Sequence, residues 1–325
     1  MRAAVITAHG RPPELVDRAD PVAAEGQVLV AVAAVPLTPL DLLCATGSSY
    51  FGPPALPYVP GVQAVGTVLD GPADLVGARV WFPSSAGMAP GDGGLAELAV
   101  GRADEAVVVG DDVPATTVAA LGLSAVAAWE VLEARAALEP GEVVLVLGAG
   151  GAVGQVAVQA ARLLGARRVV AACRSSVARD RASACGADAV VDLGPDDDVA
   201  TLAARLRDAC EGGADVVVDP LAGVAGTAAV SALALGGRLV NLGSSAGPSL
   251  EVDSAALRSR SGSVLGYTNN ALTNARRREV FATVLGHAAR SRLEVAHDVV
   301  ALADVGDAWA AVARGSAAAR VVVTP

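Results

Sequence analysis

Three evenly spaced glycines separate an apolar segment from a helix-like segment, and this arrangement could bind a phosphate group. Residues 143–147 form an uninterrupted apolar run, which is typical of a parallel strand buried on both faces. From residue 153 to residue 164 the apolar side chains recur at helical spacing. At this junction, Gly148, Gly151 and Gly154 allow a sharp turn and a close approach to a ligand. The start of the helix then offers free N–H groups to an anion such as a pyrophosphate.

This turn departs from the usual dinucleotide fingerprint, G-x-G-x-x-G. Gly148 and Gly150 match the first two glycines, but Val153 stands where the third is expected. A glycine cluster alone also fits an ordinary turn, whereas the strand–turn–helix context favours a nucleotide site. We therefore predict a dinucleotide-binding turn made of Gly148, Gly150, Gly151, Ala152, Val153 and Gly154.

The end of the next predicted strand indicates which dinucleotide is bound. NAD-preferring domains carry an Asp or Glu at this point, where it holds the ribose 2′-hydroxyl. Here no acid follows the strand at 168–172, and Arg174 lies about 20 residues beyond Gly154, beside Ser175 and Ser176. An arginine followed by two hydroxyl side chains suits a 2′-phosphate, so we predict NADPH as the cofactor. A solvated arginine at a strand end is the alternative interpretation.

The composition excludes several classes of function. The chain has 325 residues and a formal net charge of −10 without a basic cluster, which argues against nucleic acid as a main partner. It contains no lysine, so it has no P-loop lysine and no Schiff-base lysine. The Tyr-x-x-x-Lys pair of the short-chain dehydrogenases is absent for the same reason.

Cysteine spacing and hydropathy favour a cytoplasmic location. The four cysteines show no C-x-x-C spacing, so we expect reduced, buried thiols. No uninterrupted apolar run approaches the length of a membrane span, and the strand-like residues 2–8 are too short for a signal sequence. We therefore expect a cytoplasmic protein without a membrane partner.

Alternating strand and helix signals predict an α/β fold class. Residues 1–115 are β-rich, residues 113–139 are helical, and a strand–helix series follows. Its predicted strands are 143–147, 168–172, 188–191, 215–218, 237–242 and 262–266. This alternation predicts a parallel, doubly wound sheet that binds its ligand at the carboxyl ends of the strands. The last strand, 320–323, has no place in that sheet, so we expect the chain to return to the first domain.

Six short motifs resemble those of one enzyme superfamily. They are residues 57–66, 93–97, 119–129, 148–154, 186–188 and 236–240. Together they resemble the medium-chain dehydrogenase/reductase superfamily, and within it the zinc-free quinone oxidoreductase (zeta-crystallin-like) branch. The resemblance covers nearly the whole chain but does not specify a substrate.

The resemblance implies two domains. A Rossmann NADPH-binding domain with a six-stranded parallel sheet would occupy residues 121–267. A β-rich GroES-like catalytic domain, shaped as a partly open barrel, would occupy residues 1–120 and 268–325. The resemblance also implies an NADPH-dependent oxidoreductase that acts on a small quinone or enone. It further implies a homodimer that pairs the edge strands at 262–266, since such an apolar edge would be a liability if exposed.

Departures from the zinc-dependent members of the superfamily predict a protein without a metal. Those members carry Gly-His-Glu where this chain has Gly61, Val62 and Gln63, and they carry a four-cysteine lobe that is missing here. Cys44 falls near the region of their first ligand, but its partners are absent. A catalytic zinc needs about three protein ligands. We therefore interpret Cys44 as a packed thiol.

Without zinc, the simplest substrates already contain a conjugated electron sink, such as a quinone, an enone or an enoyl thioester. By resemblance, Tyr50 would donate a hydrogen bond to the oxygen that gains charge. Thr38 and Asp41 stand at positions that line the nicotinamide end in relatives, although Asp41 could equally cap a helix. Further cofactor contacts are expected from Asn241, Gly243, Ser244, Tyr267, Asn269 and Asn270.

Three other functions are consistent with parts of the sequence. Residues 243–247 match G-x-S-x-G, the nucleophile elbow of hydrolases, but Pro248 follows where a helix should begin. Reduction of an enoyl or enone C=C bond in a biosynthetic pathway is the nearest alternative among enzymes. A non-catalytic NADPH-binding sensor is a more remote one.

Overall fold

The computed structural model describes all residues, 1–325. Its strands are β1 Arg2–Val5, β2 Glu14–Asp17, β3 Gln27–Pro36, β4 Gln63–Asp70, β5 Arg79–Pro83, β6 Leu98–Arg102, β7 Val107–Val108, β8 Val143–Leu147, β9 Arg168–Cys173, β10 Ala189–Asp192, β11 Ala214–Asp219, β12 Leu233–Asn241, β13 Ser263–Gly266, β14 His297–Ala301 and β15 Arg320–Thr324. Its α-helices are α1 Pro39–Thr46, α2 Ala115–Glu130, α3 Ala152–Leu163, α4 Ser176–Ala184, α5 Val199–Ala209, α6 Gly223–Ser231, α7 Ser254–Ser259, α8 Asn274–Ala288 and α9 Val305–Ala313.

The chain divides into two compact units. The first comprises Met1–Leu123, Asn274–Glu279 and Val295–Pro325, and the second comprises Ser124–Thr273 and Val280–Glu294. The expected division had placed all of 268–325 in the first domain. The segment Val280–Glu294 belongs instead to the second unit, where His287 stacks on Trp129 at a ring distance of 5.2 Å.

The second unit contains the predicted doubly wound sheet. All its strands are parallel and lie in the order β10-β9-β8-β11-β12-β13. Every residue of β8 is buried, as its uninterrupted apolar run predicted. The chain reverses its direction across the sheet between β8 and β11, so the carboxyl ends of these two strands form the topological switch point. The predicted Rossmann architecture is confirmed.

The first unit is built mainly from antiparallel strands. One sheet has the order β14-β15-β3-β4-β5-β7, with β6 paired to β3, and β1 pairs with β2 separately. The last strand, β15, pairs antiparallel with β3. Strand β2 was missed in the sequence because its four residues are mostly exposed and show no apolar alternation.

One helical stretch lies within the predicted helical region 113–139 and is markedly apolar. Ala115–Arg135 has the length and hydropathy of a membrane span, and 72% of its most apolar window is buried inside the fold. Gly122, with φ +35° and ψ −138°, interrupts the helix.

A buried glutamine holds this interruption in place. The Gln63 Oε1 atom accepts hydrogen bonds from Leu123 N at 2.8 Å and from Trp81 Nε1 at 2.9 Å. Leu123 lies at the start of the second helical segment, where backbone N–H groups have no partner within the helix. The Gln63 carboxamide supplies an acceptor for one of these N–H groups. A Cβ atom on Gly122 would lie 2.0 Å from the same oxygen.

We predict that Gly122→Ala lowers the free energy of unfolding by about 1–3 kcal/mol, because its φ is positive and its Cβ would displace Gln63. Gly286→Ala is the matched control. Gly286 lies inside α8, where the new Cβ would meet only Arg290 Nη1 at 3.5 Å, and Ala is the better helix former. Urea unfolding measures both. Equal stability of the Gly122 variant and the unaltered chain would contradict the assignment.

Candidate functional site

The phosphate-binding candidate of the second unit is the turn between β8 and α3. Gly148 leaves the strand with φ +62°, and Gly151 precedes the helix with an extended backbone and no side chain to cap it. The Gly151 N–H donates to Gly148 O at 3.0 Å, which closes the turn. The first-turn N–H groups of α3 have no intrahelical partners, so they are available to an anion.

Packing explains which positions of this turn must be glycine. A Cβ atom on Gly150 would lie 2.3 Å from Ala178 Cβ, and one on Gly154 would lie 2.4 Å from Gly148 O. At Gly151 a Cβ would meet only Gly148 O, at 3.4 Å. The turn is therefore filled by protein on two sides and open at Gly151. Ala152 and Val153 belong to the first turn of α3 and need no glycine.

Sequence reasoning missed one residue that supports this turn. Gln155 is buried, and its Nε2 donates to Gly150 O at 2.9 Å. No motif flagged it, because a glutamine within a helix usually lies on a solvated face. The tight, open-sided turn and its N–H donors fit the diphosphate of a dinucleotide.

The end of β9 carries the predicted 2′-phosphate residues. Arg174 is exposed, and its guanidinium forms no hydrogen bond or ion pair within the protein. The next arginine, Arg179, is paired with Asp192. Ser175 caps α4, since its Oγ accepts from Ala178 N at 3.2 Å, and Ser176 is the exposed first residue of that helix. Of these residues, Arg174 is the one whose charged guanidinium has no partner within the protein.

The predicted nicotinamide-side residues follow β12 and β13. The Asn241 side chain donates from Nδ2 to Gly243 O at 2.9 Å. The backbone carbonyl of Asn241 accepts from Tyr267 N at 2.9 Å. The Tyr267 hydroxyl donates to Asn269 Oδ1 at 2.7 Å. The structure thus brings these residues together at the carboxyl edge of the sheet, while Ser244 and Asn270 lie exposed beside them.

The hydrolase alternative is not supported by this region. A nucleophile elbow leads from a strand directly into a helix. Here the chain after β12 forms loops until α7 begins at Ser254, and the Ser245 hydroxyl donates to Pro220 O at 3.1 Å.

In the first unit, Thr38 and Asp41 form a buried capping box at the start of α1. One Asp41 carboxylate oxygen accepts from Thr38 N at 2.9 Å and from Thr38 Oγ1 at 2.6 Å. The other oxygen accepts from Gly61 N at 3.0 Å and Val62 N at 2.9 Å. Burial raises the pKa of Asp41, and the hydrogen bonds from Thr38, Val62 and Gly61 oppose that rise. Both oxygens are occupied by backbone and Thr38, so the capping alternative describes Asp41 better than a catalytic one.

Tyr50 differs from these two residues because its side chain is free. It is 78% exposed, and its ring lies 4.2 Å from that of Phe51. A free phenol in a turn after α1 remains able to donate to a bound molecule.

Cys44 lies in the interior of the first unit. It is fully buried, and burial raises the pKa of its thiol. A metal ligand would need the thiolate form, which this environment disfavours. No group of three or more His, Cys, Asp or Glu side chains is arranged to hold a metal ion.

Two protein families match the chain, one after the other. Residues 24–111 match the alcohol dehydrogenase GroES-like domain, and residues 152–289 match the family described as zinc-binding dehydrogenase. The first match lies in the first unit and the second in the second unit, apart from six residues of α8.

Individual relatives extend this similarity over the whole chain. The chain is 33% identical over 309 residues to a phenolphthiocerol/phthiocerol polyketide synthase of Mycobacterium tuberculosis, a match that covers 92% of this chain but only 13% of that protein. It is 29% identical to the quinone oxidoreductase of Lama guanicoe, over 82% of this chain and 80% of that one.

The solved structure of the quinone oxidoreductase from Thermus thermophilus, studied alone and in complex with NADPH, is 30% identical and has a TM-score of 0.84. The alignment covers 100% of both chains. The chain therefore belongs to the medium-chain dehydrogenase/reductase superfamily, as a quinone oxidoreductase-like member.

Proposed function

We propose that the protein is an NADPH-dependent reductase that transfers a hydride to a quinone or another conjugated carbonyl compound. The observation that carries this proposal is the unpaired guanidinium of Arg174, in the same unit as the open turn at Gly151. A planar cation at the end of the second strand of the sheet suits the 2′-phosphate of NADPH. The NADPH complex of the Thermus thermophilus relative supports the same cofactor.

The residues of the second unit would hold NADPH in three places. The start of α3, open at Gly151, suits the diphosphate, and Arg174 suits the 2′-phosphate. The nicotinamide half would lie at the carboxyl edge of the sheet, where ligands of such folds bind. The candidates there are Asn241, Gly243, Ser244, Tyr267, Asn269 and Asn270. When bound, the cofactor would supply the hydride.

Tyr50 is the proposed hydrogen-bond donor to the substrate. Hydride transfer to a conjugated carbonyl places negative charge on the carbonyl oxygen, and a donor aimed at that oxygen stabilises the transition state. Tyr50 has a free phenol, whereas the polar atoms of Thr38 and Asp41 are engaged with each other and with the backbone. We therefore give Thr38 and Asp41 the role of fixing the backbone at Gly61 and Val62.

We also propose that the reaction needs no zinc. Val62 replaces the histidine of zinc-dependent relatives, and Gln63, in place of their glutamate, is used to hold Trp81 and Leu123. Cys44 is kept as a thiol by burial. Gln63 thus has a structural role, and Cys44 lies where the thiolate form that a metal ligand needs is disfavoured.

Reduction of a C=C bond in an enone or enoyl thioester is the second candidate function. The similarity to two polyketide synthases, at 33% and 37% identity, favours it, although the chain spans only 13% and 4% of those proteins. The same cofactor site and the same hydrogen-bond donor would serve both reactions. The two candidates differ only in the acceptor.

A panel of acceptors distinguishes these candidates. NADPH oxidation is followed with quinones, enones and enoyl thioesters, before and after treatment with a metal chelator. We expect turnover with at least one class, unaffected by chelation. Tight binding of NADPH without any oxidation would support the sensor alternative instead, and loss of activity on chelation would contradict zinc independence.

We propose that two copies associate through β13 and that the protein acts in the cytoplasm. β13 is the outermost strand of its sheet, and its Val264 and Leu265 are only partly covered. Pairing with β13 of a second copy would give the unpaired backbone N–H and C=O groups of this edge hydrogen-bond partners. Four free cysteines are consistent with a reducing compartment. Sedimentation of a stable monomer at micromolar concentration would contradict the dimer.

We predict that Arg174→Ala weakens NADPH binding by about tenfold to a hundredfold, because a charged hydrogen bond contributes about 1.5–3 kcal/mol. NADH lacks the 2′-phosphate, so its affinity should stay nearly unchanged. Calorimetric titration of both cofactors measures the difference. Arg314→Ala, which removes an exposed arginine from the first unit, is the control and should affect neither cofactor. Equal losses for both cofactors would argue against the assignment.

We predict that Tyr50→Phe lowers kcat by at least about tenfold and leaves the dissociation constant of NADPH unchanged. The exposed ring and its contact with Phe51 are retained, so the melting temperature should not move. Steady-state kinetics with the best acceptor of the panel measure kcat. Full activity of the variant would exclude Tyr50 as the donor.

A further inference from the structure

A second buried carboxylate lies at the carboxyl end of β11. Asp219 is fully buried, and one of its oxygens accepts from Leu221 N and Ala222 N, both at 2.9 Å. The other accepts from Asn241 Nδ2 at 2.9 Å. All of these partners are N–H donors, so both oxygens act as acceptors. The side chain thereby joins the loop after β11 to the end of β12.

The loop that Asp219 holds is strained. Ala222 has φ +55° and ψ −147°, a backbone conformation that residues with a Cβ rarely adopt. Its N–H donates to Asp219, and its carbonyl accepts from Gly226 N at 3.0 Å. Strained backbone of this kind persists where its surroundings over-determine it, and it occurs preferentially at ligand sites.

The same loop contacts the phosphate turn. A Cβ atom placed on Gly148 would lie 3.0 Å from Leu221 Cδ2, so the Leu221 side chain covers that glycine. The Leu221 carbonyl also accepts from Ala246 N at 2.9 Å, in the loop after β12. The strained loop therefore sits at the topological switch point, between the turn after β8 and the loop after β12.

We propose that Asp219 is a positioning residue for the nicotinamide half of NADPH, an inference that rests on the proposed function. Its carboxylate fixes Ala222 and Leu221 on one side and Asn241 on the other. These groups line the carboxyl edge of the sheet, where the nicotinamide half would bind. Arg174 and the adenine side lie beyond β8, on β9, and do not depend on this carboxylate.

A carboxylate is needed at this position, because an amide of nearly the same shape cannot accept all three hydrogen bonds. In Asp219→Asn one oxygen becomes an NH2 group, which would face either the two backbone N–H groups or Asn241 Nδ2. The Asn241 amide cannot simply reverse, because its Nδ2 also donates to Gly243 O at 2.9 Å. The variant therefore leaves a buried donor facing a donor.

The test compares whole NADPH with its adenosine half. For Asp219→Asn we expect NADPH to bind about tenfold more weakly and kcat to fall by about tenfold or more, since a buried donor is left unsatisfied. Adenosine 2′,5′-bisphosphate should bind as it does to the unaltered chain. Asp215→Asn is the matched control on the same strand, because Asp215 accepts from Val143 N at the amino end of β11. It should change neither affinity nor kcat.

A second variant covers the case in which Asp219→Asn does not fold. Asn241→Ala leaves both backbone bonds of Asp219 but removes the Asn241 donor, the bond to Gly243 O and the proposed cofactor contact of Asn241 itself, so it should weaken NADPH in the same selective way. Equal weakening of NADPH and the bisphosphate, or no weakening of either in the folded variants, would overturn the role of Asp219. Failure of the unaltered chain to bind NADPH would instead overturn the proposed function.

Discussion

The close packing of α3 against the end of β8 is the constraint on which the second unit depends. No Cβ atom fits on Gly154, because the Gly148 carbonyl occupies that space, and none fits on Gly150, where Ala178 of α4 packs against the turn. The glycines therefore let the helix begin directly behind the strand, with its N–H groups at the carboxyl edge of the sheet. β8 is apolar and buried on both faces, so it is held firmly inside the sheet, and the turn at its carboxyl end is held in place with it. The ability to bind an anion follows from this packing.

Each unit uses a buried aspartate to organise backbone. Asp41 joins the start of α1 to the Gly61–Val62 backbone, and Asp219 joins the loop after β11 to the end of β12. Hydrogen bonds from N–H and hydroxyl donors compensate for the burial of both carboxylates. A carboxylate accepts several such bonds at once, which no other side chain of this size can do. Both residues therefore hold main chain that the proposed function places beside the ligand.

The sequence predicted the sheet well because its signals are local. Continuous apolar runs separated by helical segments specify parallel strands, and five of the six predicted strands lie within a residue or two of their observed ends. β12 is the exception, because it starts at Leu233 rather than 237. The pair Gly236 and Gly237 hides its first half, and the register to β11 shifts there.

Features that depend on distant partners were not predictable in the same way. Nothing in the sequence around Gly122 shows that Gln63, from another strand, holds the helix interruption. Asp219 ends a run of valines, and that acid at a strand end was the one available signal for it. Its role depends on Asn241, which is distant in the sequence. The family resemblance supplied Tyr50, and the structure adds that its phenol is free.

Isotope transfer tests the central claim most directly. The chain is incubated with an enone and with NADPH that carries deuterium at both C4 positions of the nicotinamide. If the protein transfers a hydride from NADPH to a conjugated carbonyl compound, one deuterium appears on carbon in the reduced product. A reduced product without deuterium, or no reduction of any conjugated acceptor in the presence of bound NADPH, would contradict the account.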